Sequence, residues 1–326
     1  MKFILRKDIK IDLFERHLRK ARASNQFSNY GAAVQDLELK AREMLKIDDS
    51  KAIIAVNNGS SCVTTIVYAF QRAFGNHLNV LTQDFTFPSN AQIGASGAQK
   101  TDFTDALDIH LDFPYWDQIK IVIVTNIFGH LQDLNMIINK CNDSDKLLIF
   151  DNAATPYSFY EGTNSCNLGT ASYISLHHTK PLGFGEGGLV IINKEYEKEA
   201  RAVINFGPTE GNEFNERGSN FKMSEIAAAG ILQWWDQFDI EDLKEKFLNN
   251  YFKKRYELAN QKGIFYPNKG DDNFFPSCLP FIHDNPTEAN KDNEEFKYYK
   301  PLVGLQNSKL VYENIICYGL TEDWYV

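Results

Sequence analysis

The sequence predicts an α/β fold in which a mostly parallel sheet is wrapped by helices. Three observations predict it. Short, almost wholly apolar runs at 52–56, 78–81, 119–125 and 147–150 have the composition of strands buried on both faces. The segments between them space their apolar residues as helices do, and a βα rhythm implies parallel strands with helical crossovers. The fourth run stops abruptly at Asp151, as a strand does when it delivers a carboxylate to the carboxyl edge of an open sheet.

Taken in order, Leu13 to Arg22 predicts a short helix, Ser24 to Gly31 a polar connector and Val34 to Leu45 a second helix. Ala52 to Val56 is a buried strand running into Asn57-Asn58-Gly59-Ser60-Ser61, after which an apolar-rich helix extends to Phe74 and ends at Gly75. Small residues opening a helix directly after a strand suit an anion, because the first N–H groups are unpaired; Asn58 or Ser60 also suits a simple N-cap. Leu78 to Leu81 predicts the next strand, followed by Asp84 to Asn90 and a helix to about Gly97. Ile119 to Thr125 is the clearest strand, and Asn135 to Cys141 reads as the helix leading to the strand that ends at Asp151. Ala171 to Leu176 and Leu189 to Ile192 predict two more strands, the second returning from the end reached by the first. Lys194 to Asn205 predicts a charged helix, and Ser224 the N-cap of a helix with a small-residue face. Ile240 to Lys262 fits one long amphipathic helix. Polar loops around a strand near Leu279 to Ile282 fill 263–297, and no repeat is visible.

A chain of 326 residues with 43% hydrophobic and 24% charged residues can bury a large core, so disorder is not the default. Its net charge of −9, without a dense lysine or arginine cluster, argues against nucleic acid as a partner. Five scattered cysteines lack zinc-like spacing, so no metal site is expected and the thiols read as reduced. The N-terminus lacks signal-peptide features and no run is long enough for a membrane span, which makes a cytoplasmic protein the expectation.

The chemistry concentrates after Ala171 to Leu176, where His177-His178-Thr179-Lys180 leads into Gly183, Gly185, Gly187 and Gly188. A lysine in such a turn is ordinarily a solvated cation. One strand and one loop earlier stands Asp151, and a carboxylate and an amine at neighbouring strand ends are the two groups that pyridoxal phosphate requires from a protein. The carboxylate keeps the pyridine nitrogen protonated, and the amine forms a Schiff base.

Ser175, Lys180 and Glu186-Gly187-Gly188 occur in an order that resembles the lysine motif of the DegT/DnrJ/EryC1/StrS family of sugar aminotransferases. The stretch Asn220-Phe221-Lys222-Met223-Ser224-Glu225 is similar to a second motif of that family, and Tyr298-Tyr299-Lys300-Pro301-Leu302 to a third. The resemblance covers residues 20 to 240 well and the remainder poorly. It implies a fold-type I, aspartate aminotransferase-like enzyme. A large domain, 1–238, would carry a mixed, mostly parallel sheet, and a shortened α+β domain would span 239–326. It also implies transfer of an amino group, with glutamate as donor, onto a nucleotide-linked keto-deoxy sugar, in deoxyamino sugar or O-antigen biosynthesis. By resemblance, Lys180 and Asp151 are catalytic, and Gly59, Ser60, Ser61 and Ser175 hold the cofactor phosphate together with Asn220 from the partner of a homodimer. Phe87 stacks on the pyridine, and Phe27, Tyr30, Gly31 and His178 are candidates for the sugar nucleotide. Asn126 stands where the family often has His, and Ala154 where it often has His or Gln. Two other readings are a relative that removes a hydroxyl, in which a His replaces the lysine, and an idle sugar-nucleotide-binding descendant. Lys180 in register disfavours the first.

Overall fold

The computed structural model describes residues 5–75, 77–93, 97–208, 213–214, 217–285 and 299–321. Its strands are β1 (Lys51–Val56), β2 (Val80–Gln83), β3 (Phe85–Thr86), β4 (Gln99–Thr101), β5 (Ile121–Thr125), β6 (Leu147–Asp151), β7 (Phe159–Tyr160), β8 (Thr163–Asn164), β9 (Ala171–Ser175), β10 (Gly188–Asn193), β11 (Gly263–Phe265), β12 (Leu279–His283), β13 (Lys300–Pro301) and β14 (Ile315–Tyr318). Its helices are α1 (Ile11–Ser24), α2 (Ala32–Met44), α3 (Gly59–Phe74), α4 (Leu134–Asp143), α5 (Glu197–Val203), α6 (Glu225–Trp235), α7 (Ile240–Glu257) and α8 (Gln306–Asn314).

Seven strands form the main sheet in the order β1-β10-β9-β6-β5-β2-β4. Strands β4, β2, β5, β6 and β9 run parallel, while β10 is antiparallel to both β9 and β1. The reversal has a local cause. No helix separates β9 from β10, and a connection without a crossover helix returns the chain beside the strand it has just left. The loop of that turn carries Lys180.

Both faces of the sheet are covered, which explains why its strands are apolar without alternation. Ile53 and Ala55 of β1, Ile174 of β9 and Leu189 and Ile191 of β10 pack against α2 and α6. Their neighbours Ala52, Ile54, Val56, Tyr173, Val190 and Ile192 turn to the other layer, against α3 and α5. Caps set the helix ends. The Asn58 side chain accepts from Ser61 N at the start of α3, Gly75 ends that helix with φ of +68°, and the Ser224 hydroxyl accepts from Ala227 N at the start of α6. The five cysteines are buried free thiols.

Several expected elements shift. The strand expected at Leu78 lies two residues later as β2, and the charged helix expected from Lys194 begins as a 3-10 turn before α5. No α-helix lies between Asp84 and Gly97 among the described residues. Pro88–Asn90 forms a single 3-10 turn, because Asn90 turns its side chain into the sheet edge; residues 94–96 of the expected helix lie outside those described. The amphipathic helix from Ile240 ends at Glu257, five residues early. Strand β4 was not legible because its burial is uneven along three residues.

Beyond α7, β11, β12 and β14 form a three-stranded antiparallel sheet, and β13 pairs with β3 beside the main sheet. Two carboxylates dock this segment. Asp84 accepts the N–H groups of Leu302, Val303 and Leu305 at 2.7–2.9 Å. Asp102 accepts Asn307 N, Ser308 N and the Ser308 hydroxyl at 2.7–2.8 Å, capping α8. Burial pushes the Asp102 carboxyl upward, but these donors outweigh it and hold the group below the usual carboxylate range. The contribution of such a group is complete above about pH 4 and is lost as the pH falls through the lower folded-state value. Between pH 5 and 3 the thermal midpoint of the wild type should therefore fall further than that of Asp102→Asn, by about 2 °C. Parallel curves would remove this cap from the account. Tyr298 of the third motif lies outside the described residues, as does most of the polar stretch after Asn285.

Candidate active site

The site begins with the sheet register. Asp151 ends β6, and its partners across the neighbouring strands are Thr125 of β5 and Tyr173 of β9. In a parallel sheet, residues in register point to the same face, so all three side chains converge. Asp151 is 1% exposed. Its Oδ2 accepts from Asn90 Nδ2 at 2.8 Å and from the Thr125 hydroxyl at 3.1 Å, and its Oδ1 accepts from Ala153 N at 3.0 Å. The network continues outward: Tyr173 donates to Asn90 Oδ1 at 2.6 Å, and the Thr86 and Thr125 hydroxyls lie 2.6 Å apart. With Thr125 donating to Asp151, its own oxygen must accept from Thr86.

Lys180 lies in the loop between β9 and β10. The loop is compact: Lys180 N donates to His177 O at 2.9 Å, Gly183 N to Lys180 O at 3.0 Å and His178 N to Gly185 O at 2.8 Å. A β-carbon on Gly183 would come within 2.0 Å of His177 O, so this turn closes only around glycine. Lys180 lines a crevice with Leu5, Ala154, Pro181, Phe247, Ser277 and Tyr299.

Burial draws the Lys180 amine below its ordinary value, with the Asp151 carboxylate pulling the other way. Burial likewise pushes the Asp151 carboxyl upward, against the donors of Ala153, Asn90, Tyr173 and Thr125. Asp151 ends β6 and Lys180 lies in the loop that leaves the adjacent parallel strand β9, so the two stand at the same edge of the sheet.

A third feature lies at the start of α3. A β-carbon on Gly59 would come 3.0 Å from Ser175 Cβ and Oγ, so helix start and strand end touch. Asn58 takes up Ser61 N and the Ser61 hydroxyl, leaving Gly59 and the exposed Ser60 at the open first turn. Ser61 is thus turned inward. Asn57 N donates to Phe221 O at 2.8 Å, which brings the segment of Asn220 alongside this turn, with Asn220 itself exposed. Phe87 is 51% exposed at the head of the turn whose last residue, Asn90, holds Asp151.

Of the remaining candidates, Phe27, Tyr30 and Gly31 gather around Glu225 and Glu38, while His178 belongs to the Lys180 loop. Glu225, fully buried, accepts Ala33 N at 2.7 Å and Val34 N at 3.2 Å, capping α2 in place of a local side chain, while Glu225 N donates to Phe27 O. A β-carbon on Gly31 would lie 2.6 Å from the Glu225 carboxyl carbon, so a side chain there would displace the carboxylate that caps α2. Tyr30 donates to Glu38 at 2.7 Å under the Arg201 guanidinium, 4.7 Å from its ring. The His178 ring stands edge-on to Phe184. His177 meets Glu186 and Thr179, and buried His130, drawn down to about 4 by its burial, bonds Phe128 O and Tyr251. Asn126 donates to Asn152 and is enclosed by the fold.

Sequence reading missed Asn90, Thr125, Thr86 and Tyr173. The strand register contained a signal for Thr125 and Tyr173, once the strand order is known; Asn90 offered none. Tyr173→Phe should leave Asn90 Oδ1 buried without its donor, lowering stability by about 1–2 kcal/mol and slowing turnover several-fold. Denaturant melts and steady-state rates check it, and unchanged values for both would exclude Tyr173 from the support of Asp151.

The donor set suits pyridoxal phosphate on these observations. A buried carboxylate and an amine lowered by burial stand at one sheet edge, a half-exposed aromatic heads the turn that holds the carboxylate, and the open first turn of α3, against Ser175, offers unpaired N–H groups to an anion.

Among known proteins, residues 9–274 match the model of the DegT/DnrJ/EryC1/StrS aminotransferase family. A dTDP-4-amino-4,6-dideoxy-D-glucose transaminase of Shigella dysenteriae is 29% identical over 221 residues, which cover 64% of this chain and 58% of that protein. The match thus spans less than two thirds of that relative. Among solved structures, Helicobacter pylori PseC, an aminotransferase involved in pseudoaminic acid biosynthesis, superposes with a TM-score of 0.80 at 16% identity, covering 97% of this chain and 92% of its own. DesI, solved in the presence of its TDP-sugar product, superposes with a TM-score of 0.76 at 18% identity, covering 98% and 86%. At such identities the likeness establishes the fold, that of pyridoxal-phosphate-dependent aminotransferases.

Proposed function

The chain belongs to the DegT/DnrJ/EryC1/StrS aminotransferase family, and from that premise we propose that it transfers an amino group onto a nucleotide-linked keto-deoxy sugar, with pyridoxal 5′-phosphate as its cofactor. The observation that carries the reading is that Asp151 ends β6 while Lys180 lies in the loop leaving the neighbouring strand β9, at the same edge of the sheet. The names of its relatives support the substrate class, since they include a dTDP-sugar transaminase and a GDP-perosamine synthase.

Bound in this cleft, the cofactor supplies an electrophilic carbon and a sink for the electrons of a broken C–H bond. Lys180 would anchor it and, with its amine's proton affinity lowered by burial, would take a proton from the α-carbon of the donor and return one to the sugar carbon. Asp151, held by Asn90 and Thr125, keeps the ring nitrogen protonated. Gly59, Ser60 and Ser175 bind the phosphate through the first turn of α3 and a hydroxyl, with Ser61 supporting the turn through Asn58. Phe87 gives the ring a flat apolar face, and Asn220 completes the site of a partner subunit in a homodimer. Phe27, Tyr30, Gly31 and His178 belong to the sugar-nucleotide side. Glutamate is the donor and leaves as 2-oxoglutarate. The reading divides the chain at 238/239 and places it in the cytoplasm, in deoxyamino sugar or O-antigen biosynthesis. No described helix is long and apolar enough to cross a membrane.

The test supplies ¹⁵N-glutamate, the cofactor and a panel of dTDP-, UDP- and GDP-linked keto sugars, and follows the products by mass. One sugar should gain labelled nitrogen with stoichiometric 2-oxoglutarate. Loss of water without nitrogen gain would replace transfer by dehydration.

A further inference from the structure

Lys7, in the segment before α1, points its ammonium into the loop that carries Lys180. Lys7 Nζ donates to His178 O at 2.7 Å and to Lys180 O and Gly183 O at 2.5 Å each. The tight turns of the loop aim these three carbonyl oxygens at one point, where they would repel one another without a cation. An ammonium matches them with three donors radiating from one atom. The next two carbonyls are held by indoles, Pro181 O by Trp234 Nε1 at 3.0 Å and Leu182 O by Trp235 Nε1 at 2.7 Å. The Trp234 ring also lies 5.5 Å from Lys7 Nζ. Lys10 N donates to Gln233 Oε1, tying the segment to α6, and Leu5 lines the same crevice as Lys180.

We propose that Lys7 is a positioning residue for Lys180, and that the segment before α1 is part of the active-site framework. The bonds made by Lys7 fix the main chain of the reactive residue itself, so its absence leaves the Lys180 amine free to swing into solvent. Burial draws Lys7 down to about 7, although Arg6, Asp8, Ile9 and Lys10 around it are exposed, so it is the Lys7 side chain that enters the fold. The titratable groups about the pair are the His178 ring, lowered by burial, by Lys7 and by His177, and the Asp151 carboxylate and Cys278 thiol, both of which act on Lys180.

The inference rests on Lys180 being the reactive amine, so the test reads that amine directly in the cofactor-free full chain. Lys180 is titrated by its reactivity toward trinitrobenzenesulfonate, followed by peptide mass spectrometry, for the wild type, Lys7→Met, Lys7→Gln and Lys10→Met. Lys7→Met should raise the apparent pKa of Lys180 by about one unit toward its solvated value and slow pyridoxal phosphate capture about tenfold. Lys7→Gln, keeping two N–H donors without the charge, should fall between, and Lys10→Met should match the wild type. A Lys7→Met protein that melts earlier while Lys180 titrates and captures cofactor normally would make Lys7 a structural tether and overturn the proposal. If Lys7→Met does not fold, wild-type titration in folded Lys7→Gln would overturn it equally. The readout requires no sugar, so its failure is separable from failure of the proposed transfer.

Discussion

Lys180→Met should reduce amino transfer by about 10⁴-fold or more while leaving a folded and more stable cofactor-free protein. Methionine matches lysine in length and fills the same crevice, but it can neither bind the cofactor nor carry a proton. The stability gain follows from the position of the amine. Burial lowers the Lys180 pKa in the folded state, so below its ordinary value of about 10.4 the fold must either enclose a charge or release a proton. Removing that obligation should stabilise the chain by about 1 kcal/mol at neutral pH, as replacement of functional groups commonly does. The sign makes the comparison specific: the gap between variant and wild type should close as the pH rises toward 10.4. Loss of activity accompanied by a lower melting temperature at every pH would instead describe a structural lysine. The visible absorbance that wild-type protein acquires with pyridoxal phosphate should be absent from the variant.

Asp151→Asn should lower turnover by about 10³-fold with a change in stability within about 1 kcal/mol. The amide is isosteric and accepts from Ala153 N as the carboxylate does, and Asn90 and the Thr125 hydroxyl can reorient to meet its NH₂ group. What it lacks is the negative charge that keeps the ring nitrogen protonated. Asp151→Glu should not restore the rate, because an added methylene moves the carboxylate out of the donors' reach in a fully enclosed position. Turnover within tenfold of wild type in Asp151→Asn would show that the charge is not used.

The two groups on which these experiments act were legible in the chain because their signals are local. An apolar run ending in Asp151, a turn of glycines after Lys180 and small residues opening α3 each occupy a few consecutive positions, and each obeys a steric or capping rule that needs no distant partner. The same holds for Ser224, whose hydroxyl caps α6 as expected.

Strand order and long-range hydrogen bonds have no such local expression. Glu225 caps α2 from far along the chain, Asn90 and Tyr173 meet at Asp151, and Lys7 reaches the Lys180 loop, each pair drawn together only when the elements between them pack. Sequence alone determined that Asp151 ends a buried strand and that a glycine-rich turn follows Lys180, because strand ends and turns are encoded by their own neighbours. Tertiary structure alone decided what holds those residues in place and lowers or raises their proton affinity, because desolvation and hydrogen-bond supply come from whatever the rest of the fold puts beside them.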